Sequence, residues 1–302
     1  MNARALDESS EPGHPTHLGR AAANMVAAAL SFAVMGLLAK LASQTLPHTL
    51  VVFFRSAIGL ALLTPWALRH GRALRTQSPG GHLLRGVFGM TAMYCFFYCI
   101  ANMALAEALL LNYSLPLFLP LVERAWLGLR VRRAVLWPLL LGFAGLLLIL
   151  KPGTGVFQPV ALVGVLAALF AATAQVGIRQ LTRTESVTSI VFYFAVISSV
   201  LSLGPALWEW QTPGLALWPV LLGVGVCATL GQLLMTNAYH HAPAAEVGPF
   251  IYMSVVFAAG LDWWVFERLP DPLASAGGLL VIVAGVVALR RAPSPPLAST
   301  AD

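Results

Sequence analysis

Charge is what this sequence has least of. Asp, Glu, Lys and Arg together make up 10% of its 302 residues, where a soluble domain carries roughly 25%. So little charge cannot cover a globular surface, and the outer surface must therefore face lipid. Cysteine is scarce too: Cys95, Cys99 and Cys227 form no C-x-x-C and read as small core residues without a redox role. There is no G-x-S-x-G, no H-E-x-x-H and no P-loop, which removes the common signatures of hydrolases, zinc proteases and nucleotide-driven pumps. His240-His241 is the nearest approach to a metal motif. Adjacent helical residues point about 100° apart, and no further ligand sits at metal spacing, so no metal and no cofactor is expected.

What the chain has is hydrophobicity, 58% by residue, with a mean hydropathy of +0.79. A span needs about 20 apolar residues, so about ten fit with little left over for a soluble domain. The apolar runs predict spans near 21–42, 47–68, 83–102, 104–127, 134–150, 158–180, 188–208, 216–239, 243–266 and 272–289. Turn signals separate several of them: Pro47, Pro79-Gly80-Gly81, Pro152-Gly153, Pro213-Gly214, Pro243 and Pro270. Residues 1–20 are polar, lack the apolar core of a cleavable signal peptide and read as a tail, as do residues 291–302.

The formal charge of +6 does not point to nucleic acid, because the arginines are dispersed among apolar spans. They set topology instead. With the N-terminus in the cytoplasm, Arg4, Arg20, Arg69, Arg72, Arg75, Arg85, Arg124, Arg130, Arg132, Arg133, Arg179, Arg183, Arg290 and Arg291 all fall on the cytoplasmic side. Lys40, Lys151 and Arg268 fall near outer ends, and Arg55 falls inside a span. An even number of spans returns the C-terminus to the cytoplasm. The expected location is a bacterial inner membrane.

The chain also repeats itself. Ala106-Glu107, Tyr113 and Phe118 match Ala245-Glu246, Tyr252 and Phe257 at one shared offset. With one residue of slippage Gly145 matches Gly285. Each copy begins the fourth span of a five-span unit, and five is odd, so the second unit must insert upside down. Two inverted five-helix repeats, over 21–150 and 158–290, are thus the expected architecture of an all-α membrane protein.

These features resemble the EamA-type carriers of the drug/metabolite transporter superfamily. The resemblance rests on Phe53-Phe54-Arg55, on Ala104-Leu105-Ala106-Glu107-Ala108, and on Glu267-Arg268-Leu269 before a Gly-rich last span. It covers residues 21 to 290. It implies a carrier without ATP hydrolysis, with a central cavity between its halves. The Phe-Arg and Ala-Glu-Ala runs look most like a branch holding S-adenosylmethionine carriers and exporters of opine metallophores. One departure stands out: Gly128-Leu129-Arg130 lacks the Glu that the family pattern usually has after the fourth span.

Ionisable groups inside a bilayer are costly and mark candidate sites. Arg55 lies about eight residues into its span, roughly 12 Å deep, where a guanidinium can grip a carboxylate with two parallel hydrogen bonds. The alternative is an ion pair or a carbonyl cap. Glu107 and Glu246 open spans 4 and 9 and are candidates for proton coupling, or else N-terminal acids held by the helix dipole. Tyr94 with Tyr98, and Gln232 with Thr236 and Tyr239, share helix faces; so do Asn24 and Ser31. Such faces line a wet cavity or hydrogen-bond neighbouring helices. Asn237, Tyr113 and Tyr252 join the candidate substrate lining. Trp208, Trp210, Trp218, Trp263 and Trp264 read as interfacial anchors.

An intramembrane enzyme would need a Ser–His pair in wet helices. Ser114 lies in a span, but no His does at mid-depth, so no enzyme activity is expected. The expected partners are a small-molecule substrate and the lipid bilayer, with a homodimer left open. One deep cation and two acids suggest export of a small amino-acid-like metabolite. Import or exchange of S-adenosylmethionine, riboflavin or a nucleoside is the alternative.

Overall fold

The computed structural model describes residues 18–71, 75–103, 105–128, 133–153, 158–266 and 272–290, with the backbone alone at 100, 101, 105–107, 133, 134, 262 and 266. Glu267-Arg268-Leu269, Leu129-Arg130 and residues 1–17 and 291–302 lie outside the described residues. All regular structure among the described residues is helical. The first half holds α1 (Leu18–Ala42), α2 (His48–Arg69), α3 (Pro79–Asn102), α4 (Leu105–Asn112), α5 (Leu115–Leu127) and α6 (Arg133–Leu150). The second holds α7 (Val160–Leu181), α8 (Val187–Trp208), α9 (Trp218–His241), α10 (Ala244–Val247), α11 (Met253–Phe266) and α12 (Pro272–Arg290).

Among the described residues, seven segments are long and apolar enough to cross a membrane: Leu18–Ala42, His48–Arg69, Val160–Leu181, Val187–Trp208, Leu215–His241, Ala244–Val265 and Pro272–Arg290. The three other expected spans fall on α3, on α4 with α5, and on α6, whose apolar part Val135–Leu150 is shorter. The outside is leucine-rich. Leu68 is 81% exposed, Leu162 68% and Leu207 61%, a surface suited to acyl chains and not to water.

Two spans expected to be continuous are broken. The chain expected over 104–127 divides at Tyr113–Ser114, where Ser114 N–H reaches only to the Leu111 carbonyl, three residues back, at 3.1 Å. Pro116, at the start of α5, supplies no N–H to carry the ladder across. The one expected over 243–266 opens as α10, tightens to a 3-10 turn over Gly248–Tyr252 that holds Pro249, and continues as α11. The two breaks share a detail. Ser114 Oγ donates to the Leu111 carbonyl at 2.6 Å, and Ser254 Oγ to the Ile251 carbonyl at 2.7 Å.

Packing interlocks the halves. α1 lies along α9, α3 along α7, α6 along α12 and α2 along α8. Each pair takes one helix from each half. Small residues make the closest approach possible: a Cβ at Gly145 would sit 2.6 Å from the Gly277 carbonyl oxygen, and one at Gly277 would sit 2.5 Å from that of Gly145. The backbones of α6 and α12 therefore touch directly, as expected where lipid gives helices no hydrophobic reason to associate.

Candidate functional site

A narrow, partly open cleft lies midway along α2, α8 and α9, lined by the polar residues Arg55, Ser56, Ser198, Thr229 and Gln232 and by apolar residues including Leu63, Val191 and Phe194. α2 places Arg55, Gly59 and Leu63 one turn apart on one face. α9 contributes Ala228, Thr229 and Gln232 in the same way. Gly59 is one place where α2 and α9 come close, since a Cβ there would lie 2.8 Å from Thr229 Oγ1.

A second cation lies behind this cleft, against two of its lining residues. Arg85 of α3 is 5% exposed. Its Nη2 donates to Gln232 Oε1 at 3.2 Å, and its guanidinium carbon stands 4.0 Å above the Phe194 ring. Arg85 was expected among the arginines that set topology. α3 begins at Pro79 and not near 83, because proline is well placed at the first helical position. That puts Arg85 about 9 Å along the helix, inside the protein. Arg55 lies close enough to oppose its charge. Among the described residues, neither guanidinium has a carboxylate in ion-pair reach, and the Nε of each is buried without a hydrogen-bond partner.

Toward the Trp210 end of α2, aromatic rings pack on one another. Phe54 meets Trp210 at 6.0 Å and Trp218 at 5.5 Å between centroids, and Phe53 meets Trp210 at 6.3 Å. Trp210 and Trp218 therefore pack on the Phe53-Phe54 run as well as lying near span ends. Trp208 and Trp264, at 89% and 79% exposed, are free to meet an interface.

Toward the other end, the polar face of α9 continues through Thr236 to Tyr239, whose hydroxyl bonds Gln175 of α7. There an unexpected acid appears. Glu123 of α5 is buried, and its carboxylate accepts Ala244 N–H at 2.6 Å and Ala245 N–H at 3.3 Å. It caps α10. Arg179 of α7 donates to the carbonyls of Tyr239 and His240, both at 2.8 Å, and so caps α9. The turn at Ala242–Pro243 is held from both sides. Glu246 is half-buried in the same cluster, within electrostatic reach of Glu123 and Arg179. A carboxylate inside an apolar run was the signal for Glu123. It stands at the offset from Asp262 that relates Tyr113 to Tyr252.

The remaining candidates disperse. Asn237 donates to Asn24 Oδ1 at 3.1 Å, and Ser31 donates to the Cys227 carbonyl at 3.0 Å. Both bonds tie α1 to α9, and Asn237 is not among the residues lining the cleft. Tyr113 and Tyr252 pack with Leu146 and Val281 against α6 and α12, with Tyr252 fully buried. Tyr94 is half-buried with its hydroxyl enclosed, whereas Tyr98, on the same helix, is 52% exposed. Glu107 lies in α4, and its side chain is outside the described residues. Of the expected substrate residues, Arg55 and Gln232 are the two that meet in the cleft.

A model of the EamA-like transporter family matches residues 19–151 and again 158–290. The chain is 41% identical to a pseudopaline exporter of Pseudomonas aeruginosa over 269 residues, 88% of this chain and 94% of that protein. It is 29% identical to a riboflavin transporter of Vibrio cholerae, covering 86% and 89% of the two chains. It is 28% identical to an S-adenosylmethionine uptake transporter of Rickettsia bellii, covering 78% and 81%. A solved crystal structure shares the fold at a TM-score of 0.77, with 21% identity over 89% of this chain and 96% of the other.

Proposed function

We propose, from the premise that this chain belongs to the EamA-like transporter family, that it exports a small amino-acid-derived metabolite of the opine type across a bacterial inner membrane. The observation that carries the reading is Arg55, a cation held at mid-depth in a cleft with Gln232 beside it. A guanidinium there supplies the paired donors that a carboxylate needs. The 41% identity to a pseudopaline exporter supports both export and an opine-like substrate. The riboflavin and S-adenosylmethionine transporters are more distant, at 29% and 28%. The S-adenosylmethionine alternative is further disfavoured by charge, since a sulfonium would enter a cleft that two arginines make positive.

The mechanism proposed is alternating access between two inverted halves of five spans each, 21–150 and 158–290, ten spans in all. In this reading α4 with α5 is one span, and α10 with α11 is one span. Helix pairs that draw one member from each half suit a carrier whose halves rock against each other. The Ala242–Pro243 end, with both termini, is assigned to the cytoplasm, and the Trp210 end to the outer face. Glu107 and Glu246 are assigned to proton coupling, with Glu123 as the neighbour that senses the charge of Glu246. Binding sites are assigned to Arg55 and Gln232 first. Tyr94, Tyr98, Tyr113, Tyr252 and Asn237 remain candidates only for a state in which the cleft is differently open.

The test is transport by everted vesicles from cells that express the chain. Vesicles given a radiolabelled N-carboxyalkyl amino acid and an inward proton supply should accumulate it, and Arg55→Lys vesicles should not. Equal accumulation by vesicles lacking the protein overturns the reading.

A further inference from the structure

We propose that the cleft is a two-cation site, built for small molecules that carry two carboxylates, with Arg85 as the second anchor beside Arg55. The proposal rests on the transport reading and names its substrate class. Two guanidiniums from different helices converge on one cleft. Arg55 lines it directly, and Arg85 reaches it through Gln232, at 3.2 Å, and through the Phe194 face, at 4.0 Å, both of which are lining residues. Each keeps a buried Nε donor without a partner.

Buried cations are normally matched by an acid from the protein itself, because an unmatched charge in a low-dielectric interior is strongly unfavourable. Three of the described acids near the helix ends are engaged elsewhere. Glu123 holds the N–H groups of Ala244 and Ala245. Glu185 accepts from Thr76 Oγ1 and Gln77 N–H, and Glu209 accepts from Thr49 Oγ1. Two positive charges that oppose each other therefore await negative charge from a ligand. A molecule with one carboxylate and one ammonium satisfies one arginine and brings its own cation toward the other. A molecule with two carboxylates satisfies both.

The backbone makes room for this arrangement. Gly89 lies one turn along α3 from Arg85, and a Cβ there would collide with Nη1 of Arg85. The guanidinium lies flat against the bare helix at that point. In the occupied site the Gln232 bond is exchanged for a carboxylate, which forms the stronger charge-assisted pair.

The experiment uses the purified full-length chain in lipid nanodiscs and measures binding of α,ω-dicarboxylates from malonate to pimelate, each against the monocarboxylate of equal carbon number. The wild type should bind its best dicarboxylate roughly tenfold or more tighter than the matched monocarboxylate. Arg85→Gln should abolish that preference, bringing affinity for the best dicarboxylate down to that of the matched monocarboxylate. Arg85→Lys should keep part of the preference. Gly89→Ala alters no charge; its methyl meets Arg85 Nη1 and, less closely, the Phe194 ring, so with an unchanged thermal midpoint it should weaken the preference as the guanidinium shifts. The proposal is overturned if dicarboxylates bind no better than monocarboxylates, if none of the series binds, or if Arg85→Gln or Gly89→Ala keeps the full preference. A dicarboxylate preference in a protein that moves nothing in vesicles would leave this site standing and overturn the transport reading instead.

Discussion

Arg55 and Glu123 show what a single ionisable group does in each role. Arg55 presents its fork to an open cleft, so Arg55→Lys should reduce transport roughly tenfold or more while the protein still inserts and folds, because an ammonium cannot form two parallel bonds. Uptake assays beside an expression blot check it, and unchanged transport would make Arg55 a structural cation. Glu123 instead completes a helix end. Glu123→Ala leaves the N–H groups of Ala244 and Ala245 without their acceptor, at a cost of about 1–3 kcal/mol. Its thermal midpoint should fall by several degrees, and Glu123→Gln, which keeps one acceptor oxygen, should fall less. Arg55 was legible as a candidate, and it does line the cleft, because a charge deep in an apolar run has few innocent explanations. Arg85 was not, because its depth depends on where α3 starts, and an error of four residues moves it from the interface into the protein. Gln232 and Asn237 looked alike in sequence. Only tertiary placement sends one to the cleft and the other to Asn24.

At the scale of elements, the apolar runs and their proline and glycine punctuation placed nearly every helix, with ends shifted by a few residues. The two interrupted ones, α4 with α5 and α10 with α11, were hidden. Pro116 and Pro249 are present in the sequence, but prolines also sit unbroken inside α2, α5 and α8, at Pro65, Pro120 and Pro205. Proline alone does not say which helix gives way. The backbone marks the places: Ser114 N–H reaches only the Leu111 carbonyl, and Gly248–Tyr252 winds as a 3-10 turn. The seam between α6 and α12 was legible only as two glycine-rich spans, since Gly145 was matched with Gly285 while its direct contact is Gly277. Gly277→Leu should force these backbones apart and cost about 1–3 kcal/mol. A lowered thermal midpoint with the dicarboxylate affinity of the folded fraction unchanged is the expected result; an unchanged midpoint would mean that the seam is not close-packed in the membrane.

The molecule as a whole is a multi-pass membrane protein whose two halves share every major packing seam, so motion of one half against the other must reshape all of them. Its proposed topology has a direct consequence. An alkaline phosphatase fused at Ala298 should be inactive and a fluorescent protein there should glow, both termini being cytoplasmic; a bright phosphatase signal would reverse or shorten the span count. Composition and apolar runs were enough to read the membrane and the helices, because they follow from averages over many residues; the transporter class came from the internal repeat and the short motifs that resemble the family. Substrate and direction depend on a few side chains and on the gradient that drives them, which no average records. The central claim is export of an amino-acid-derived metabolite, and the most direct measurement is the metabolome inside and outside cells that lack this chain, compared with their parent. Loss of the exporter should raise one amino-acid-derived compound with two or more carboxylates inside the cells and lower it in the medium. An unchanged inside-to-outside ratio for every such compound, or a failure to take one up, would contradict the account.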